Sequence, residues 1–333
     1  MTAKAGKVYG IGNPLIDVIV NISDQDLETL GLHKGTMNLI DTKARNELVS
    51  FINSKRDEPA YSCGGSCPNT IITLSSLGIS TTLAGKIGDD EYGKIYRQRL
   101  DSLNVKDNLA VSPNHTGSSI ILVTPDSERT MNTFLGANRD FSPEDVVEDE
   151  ISSATIFHFT GYMWDTENQK QAVKKALAIA KAKGVRVSFD IADMFAVGRY
   201  RDSFMDLIKT SCDIVFANKE EARSLFDNYD AYECCRSMGK LCETAVVKNG
   251  KRGSYICYRG KIHEIPVQGP ETPVDTTGAG DTYAAGFLYG QCKGYDIEKS
   301  GDAASLLAGQ IIKQTGAQFS KEKSEELKKL LEK

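Results

Sequence analysis

The sequence predicts an α/β fold: a doubly wound, mostly parallel sheet flanked by helices on both faces, with a small β-sheet inserted into it. Short runs rich in Val, Ile and Phe alternate with helical patterns along most of the 333 residues. The alternation is broken in two places by short strands with no helix between them. The repeating unit is plainest in "TENQKQAVKKALAIAKAKG" followed by "VRVSFDIA". There Ala172, Val173, Ala176, Leu177, Ile179 and Ala180 fall on one helical face, Gly184 stops the helix, and a strand follows at once. "TIFHFTG", "CDIVFANKEEARSLF" and "TAVVKNG" repeat the rhythm.

The breaks come after the first strand, where "VIVNIS" and "TMNLID" are short strands, and in "TGSSIILVTPDSERTMNTFLGAN", two strands joined by a polar turn. Antiparallel pieces with one polar and one apolar face read as a lid over the main sheet. No Pro/Gly/Ser-rich linker or repeat divides the chain, so residues 1–333 are expected to form one domain. The lid would come from the strand parts of about 14–62 and from about 115–138. The tail "SKEKSEELKKLLEK" is expected to be a solvated surface helix with Leu327, Leu330 and Leu331 on its sticky side.

Composition excludes several functions. With 40 Lys+Arg against 45 Asp+Glu, a net charge of −5 and no basic cluster, nucleic acid is not an expected partner. No window approaches the roughly 20 apolar residues of a membrane span, and the first residues lack a secretory pattern, so a cytoplasmic protein is expected. The eight cysteines form no CxxC pair and no Cys/His cluster, which reads as reduced thiols. His33, His115, His158 and His263 are scattered and are expected to be surface or packing residues.

Three glycine-containing stretches resemble nucleotide loops. "GDDEYGKI" from Gly88 has P-loop spacing, but Ile95 stands where Ser or Thr must hold Mg²⁺, so a strand-to-helix turn is expected. "GIGNPL" from Gly10 has Leu15 in place of the third fingerprint glycine. "VKNGKRGS" offers Lys248, Gly250 and Gly253 as nucleotide-binding positions, and fits a hairpin turn equally well.

"DTTGAGDTYAAGFL", from Asp275 to Leu288, is different. It places the amides of Ala279, Gly280 and Asp281 at or near a helix N-terminus, where free N–H groups and the helix dipole hold anionic oxygen. The Asp281 carboxylate suits a chemical role or a plain helix cap, and the residues alone do not choose.

This stretch resembles the C-terminal signature of the ribokinase family, also called the phosphofructokinase-B family. "GNPLID", "GGSCPNT" at Gly64, "ANKEEA" at Ala217 and the closing "AASLLAGQIIKQTGA" stand in that family's order. The resemblance implies a ribokinase-like fold with a β lid and transfer of the ATP γ-phosphoryl to a primary hydroxyl. It implies Asp281 as base, Gly278, Ala279 and Gly280 as anion hole, and Asn218 and Glu221 near the phosphates and Mg²⁺. "GNPLID" and "GGSCPN" are most similar to adenosine kinases. By that likeness Asp17 accepts bonds from two ribose hydroxyls, with Asn13, Gly65 and Asn69 completing the clamp. Arg129 would be a lid arginine that reaches the transferred phosphate, and Leu39, Met131, Tyr162 and Met163 would flank the base. Cys67 and Pro68 depart from the usual residues before the clamp asparagine. Asp275, Thr277, Gly316 and Ala317 stand where the family often binds a monovalent cation, which permits K⁺ without requiring it. The implied partner is a small nucleoside, with a free sugar as the alternative, and both monomer and homodimer stay open.

Overall fold

The first strand among the described residues is β1 (Lys7–Ile11), and the next three strands leave its plane. A computed structural model describes residues 6–55, 59–126 and 128–332. The strands that follow are β2 (Leu15–Asn21), β3 (Met37–Leu39), β4 (Ala60–Gly64), β5 (Ser80–Gly88), β6 (Lys106–Ser112), β7 (Ser118–Val123) and β8 (Arg129–Phe134). The second half adds β9 (Ile156–Thr160), β10 (Arg186–Asp190), β11 (Ile214–Asn218), β12 (Thr244–Lys248), β13 (Ser254–Tyr258) and β14 (Lys261–Ile265).

They form a large sheet in the order β14-β13-β12-β11-β10-β9-β1-β5-β6 and a small one in the order β3-β8-β7-β2-β4. The large sheet is parallel from β12 to β6 and ends in the antiparallel hairpin β13–β14. Its central strands are buried on both sides, as parallel strands between helices must be, while the edge strands β6 and β14 are partly exposed. Val8 and Ile156 face one core with Phe216, Phe287 and Leu307, while Tyr9, Phe157 and Phe159 face the other. In the second core Phe157, Phe159 and Phe189 stack at 5.4 and 4.8 Å.

The chain runs from β1 outward to β5 and β6, then returns to lay β9 on the other side of β1. In such sheets the crevice beyond the strand C-termini at this reversal is where ligands bind. Asn13, just past β1, and Tyr162, just past β9, meet there, with Asn13 Nδ2 donating to the Tyr162 carbonyl at 3.5 Å.

Most local expectations hold. The helix Glu167–Lys183 buries Ala172, Val173, Ala176, Leu177 and Ala180 and ends at Gly184 in the left-handed region. The "GDDEYGKI" stretch is a turn in which Asp90 caps the helix Glu91–Ser102. The tail helix Lys321–Leu331 corrects the sequence reading, because it docks: Leu327 and Leu331 lie in the core and Leu330 alone of the three is 42% exposed. Ser324, Leu327 and Leu331 make the buried face, and Leu330, about 100° round the helix from Leu331, lies at its edge.

Candidate active site

The helix Ala279–Lys293 starts at Gly278, whose φ of +74° an L side chain adopts only under strain. A Cβ on Gly278 would also lie 2.5 Å from that of Ala317, so glycine is needed for space as well. The helix points its first turn at the crevice. The Ala279 amide turns back to the Thr276 carbonyl at 3.2 Å, so of the expected Gly278–Ala279–Gly280 anion hole the Ala279 donor is already engaged. The first-turn amides left without an intrahelical acceptor are those of Gly280 and Asp281.

Asp281 is the third residue of this helix and caps nothing, since Gly278 is the N-cap and no side chain bonds the end. Its Oδ1 accepts from Ser66 Oγ at 2.6 Å and its Oδ2 from Asn69 Nδ2 at 2.9 Å, both on the helix Ser66–Ser76. Burial pushes this carboxyl up to about 6, against the opposing pull of those two donors and of Lys248. A carboxylate poised near neutrality and bonded on one side is suited to take a proton.

Asp17 lies on β2 between Ser62 of β4 and Ser119 of β7. Burial pushes it up to about 7, with the Arg129 charge acting the other way. A Cβ on Gly64 would sit 2.6 Å from Asp17 Oδ2, and one on Gly65 would sit 2.2 Å from the Asn13 carbonyl oxygen. The glycine pair is therefore what lets Asp17 and Asn13 approach β4. Asn13 Oδ1 accepts from Gln169 Nε2 at 3.0 Å.

The register of the small sheet lines up the faces of its strands. Asp17, Ser119, Thr133 and Leu39 form one row across β2, β7, β8 and β3. Ile19, Ile121, Met131 and Met37 form the next, and Arg129 belongs to the same face of β8 because side chains two apart share a side. Arg129 Nη1 bonds Asp275 Oδ2 at 3.1 Å and approaches Thr277 Oγ1 at 3.4 Å, so this face is turned toward the first turn of Ala279–Lys293.

Asp275 also accepts from the Thr277 amide and hydroxyl at 3.0 and 2.7 Å and from the Gly316 amide at 3.0 Å. These bonds and Arg129 hold it below the usual carboxylate range although burial pulls the other way. Asp275, Thr277, Gly316 and Ala317 are thus brought together. A cation here would need to draw on backbone carbonyls, because the Asp275 oxygens are taken up by donors.

At the ends of β10 and β12, Asp190 and Lys248 form a buried ion pair at 2.9 Å. A Cβ on Gly280 would lie 3.3 Å from the Lys248 ammonium, which places that charge under the anion-binding turn. Burial opposes the charge on Lys248, but Asp190 and Glu221 outweigh it and raise its pKa. Glu221 is 3% exposed, and burial raises it too. Its Oε2 and Oε1 accept from the Asn218 amide and Nδ2, both at 2.7 Å, in a capping box. Glu221 as placed therefore has its oxygens committed, and a metal near it would be reached through water. Gly250 and Gly253, at φ +59° and +83°, shape the β12–β13 hairpin turn.

The residues expected around the base separate. Leu39 is 61% exposed and Tyr162 is 37% exposed, with its hydroxyl on the Ala192 carbonyl at 3.3 Å. Met131 is partly exposed on the row beside Leu39. Met163 corrects the expectation: it is wholly buried in the second core and exposes no surface to the crevice. His158 is a packing residue, buried against Ser188 Oγ at 2.9 Å and lowered by burial to about 4. Sequence reading missed Ser66 and Asp190. Asp190 carried a signal, a carboxylate closing a strand at the C-terminal edge of a parallel sheet.

A sequence profile of pfkB family carbohydrate kinases matches residues 35–324. The chain belongs to this family. It is 31% identical over 253 residues to an uncharacterized sugar kinase of Archaeoglobus fulgidus, covering 73% of this chain and 96% of that protein. A nucleoside kinase of Methanothermobacter thermautotrophicus is 29% identical over 259 residues, 77% of this chain and 80% of that one. Among solved structures, the adenosine kinase from Sinorhizobium meliloti superposes with a TM-score of 0.84 at 35% identity, covering 95% of this chain and 96% of that chain. A probable sugar kinase from Rhizobium etli gives 0.87 at 34% identity, covering 98% and 99%. This kinase is accordingly a phosphotransferase that acts on a hydroxyl group of a sugar or nucleoside, with ATP as donor and typically with Mg²⁺. The open amides of Gly280 and Asp281 above the Lys248 ammonium suit the phosphates of that donor. Among the described residues no helix is long and apolar enough to cross a membrane.

Proposed function

We propose that this kinase transfers the γ-phosphoryl of ATP to the primary 5′-hydroxyl of a nucleoside, adenosine before others. The observation that carries the reading is the row Asp17–Ser119–Thr133–Leu39 with its apolar neighbour Ile19–Ile121–Met131–Met37. Four strands at about 4.8 Å spacing span about 14 Å, longer than one sugar ring. One end carries a carboxylate that can accept from both hydroxyls of a vicinal diol; the other carries an exposed leucine and two methionines. A ribose at Asp17 leaves its base over that apolar end, whereas a free sugar would leave it uncovered. The 35% identity to an adenosine kinase over nearly the whole chain supports the same reading.

In this account the small sheet is a lid, and Asn13, Gly65 and Asn69 complete the ribose clamp with Asp17. Asp281, as carboxylate, takes the proton of the 5′-hydroxyl while that oxygen bonds phosphorus and the bond from phosphorus to the ADP oxygen breaks. The Gly280 and Asp281 amides, Lys248 and Arg129 stabilise charge on the transferring group. Asn218 and Glu221 would hold Mg²⁺ through water on their side of the crevice, and the ion would supply neutralisation of phosphate charge there. K⁺ beside Asp275 and Thr277 would act on the same turn.

The test is ATP consumption over adenosine, inosine, guanosine, cytidine, ribose and fructose at equal concentration, with Mg²⁺ and with or without K⁺. Adenosine or a related nucleoside is expected to be the fast acceptor. A strong preference for a free sugar would overturn the nucleoside reading and leave the role of Asp281 standing.

A further inference from the structure

The Asp281 carboxylate is held from the side by a chain of polar groups that starts far from the crevice. Arg99, on the helix Glu91–Ser102, directs Nε and Nη2 to Gln318 Oε1 at 3.3 and 3.0 Å. Gln318 Nε2 donates to the Cys63 carbonyl at 2.5 Å and to Asn69 Oδ1 at 3.3 Å. Asn69 Nδ2 then donates to Asp281 Oδ2. All four bonding positions of the Gln318 amide are filled.

An amide can be turned end for end without changing its shape, so the ends of the chain decide its sense. Arginine only donates and a backbone carbonyl only accepts. Gln318 must therefore face its oxygen to Arg99 and its NH₂ to Cys63, which leaves a donor for Asn69. Asn69 answers with its oxygen and is left with its NH₂ toward Asp281. Turning Gln318 over would set N–H against N–H and carbonyl against carbonyl.

We propose that Gln318, oriented by Arg99, is a positioning residue that fixes the sense of the Asn69 amide so that the carboxylate of Asp281 meets a donor. Without it Asn69 is free to present its carbonyl to Asp281, which removes a donor from the carboxylate form. The proposal rests on the reading of Asp281 as base for its effect on turnover, but the orientation itself does not. The other groups that face Asp281 are Ser66 and Cys67 on the Ser66–Ser76 helix, Asp190 and Lys248 at the sheet edge, and Tyr162. None of these bonds Gln318 in the hydrogen bonds described, so they are a constant background.

The experiment follows the ¹³C shift of the Asp281 carboxyl against pH, identified by its loss in Asp281→Asn, alongside the pH dependence of kcat. It compares the wild type with Gln318→Met, Gln318→Glu and Arg99→Met. Gln318→Met removes the donors without adding charge; Gln318→Glu keeps the Arg99 contact and the fold if the neutral variant unfolds. The Asp281 titration is expected to move up by roughly half to one pH unit in all three, and the acid limb of kcat to follow. A shift in Gln318→Glu alone would be an effect of added charge and would overturn the proposal, as would titrations that coincide with the wild type. If the carboxyl titration moves and the acid limb of kcat does not, Gln318 stands as a positioning residue and Asp281 is not the base.

Discussion

Arg129 Nη1 lies 3.1 Å from Asp275 Oδ2, a bond that ties β8 of the small sheet to the segment leading into Gly278. It fastens the small sheet to the loop that opens the Ala279–Lys293 helix, across the crevice. The pair is part-exposed, so its worth to stability is small, and its value lies in where it holds the small sheet.

Arg129→Ala is therefore expected to lower kcat by roughly 10- to 100-fold with a smaller change in KM and little change in melting temperature. Steady-state kinetics with the preferred acceptor decide it. An effect confined to KM would mean that Arg129 only helps bind substrate.

Activity and stability are expected to part below neutral pH. On the proposed mechanism Asp17 and Asp281 work as carboxylates, and burial raises them to about 7 and about 6, so kcat and kcat/KM are expected to fall as pH drops through that range. Stability has the opposite sign for these groups. A carboxyl raised in the folded state binds its proton there first, so acidification relieves the cost of its buried charge. Glu221 adds to this, while His158, lowered to about 4, works against it by charging more readily when unfolded. Asp126 and Glu150, each held at about 2, contribute stability that is lost only as pH falls below about 5. The melting temperature should accordingly hold or rise from pH 8 to 5 while turnover falls. A melting temperature that falls in step with activity would contradict the assignment.

Lys248→Met leaves Asp190 buried without its partner and is expected to cost about 3–5 kcal/mol in denaturant unfolding. Adding Asp190→Asn should restore part of that loss, since the two residues are coupled. A single-variant cost within experimental error would mean that the pair is not enclosed.

Leu39 and Met163, both expected at the base, should separate experimentally. Leu39→Ala alters an exposed side chain, so stability should stay within about 0.5 kcal/mol while KM for the nucleoside rises. Met163→Ala should cost about 2–5 kcal/mol and leave the ranking of acceptors unchanged. Melting curves and the acceptor panel read both.

Much of this was legible in the chain. The parallel sheet followed from the βα rhythm, and a helix N-terminus near Ala279–Asp281 from the glycines that precede a helical run; that Gly278 admits no side chain is visible only in the structure. Asp281 stood out because a carboxylate there had two readings, and only the structure removes the capping one, with Gly278 as N-cap and both Asp281 oxygens engaged by Ser66 and Asn69. Met163 was misjudged because its neighbour Tyr162 faces the crevice and a one-turn 3₁₀ segment points successive residues to different sides. Gln318 carried no local signal, since its partners Arg99, Cys63 and Asn69 are more than two hundred positions away, and only tertiary contact gives it meaning.

The central claim is that Asp281 takes the proton of the accepting hydroxyl. The direct measurement is turnover by Asp281→Asn, with circular dichroism and melting as checks on the fold. The amide keeps one acceptor, and Ser66 Oγ can reverse to accept its new N–H, so the fold should survive. Turnover is expected to fall at least ~10²-fold. A folded variant within a few-fold of the wild type would contradict the account and return this carboxylate to a structural role.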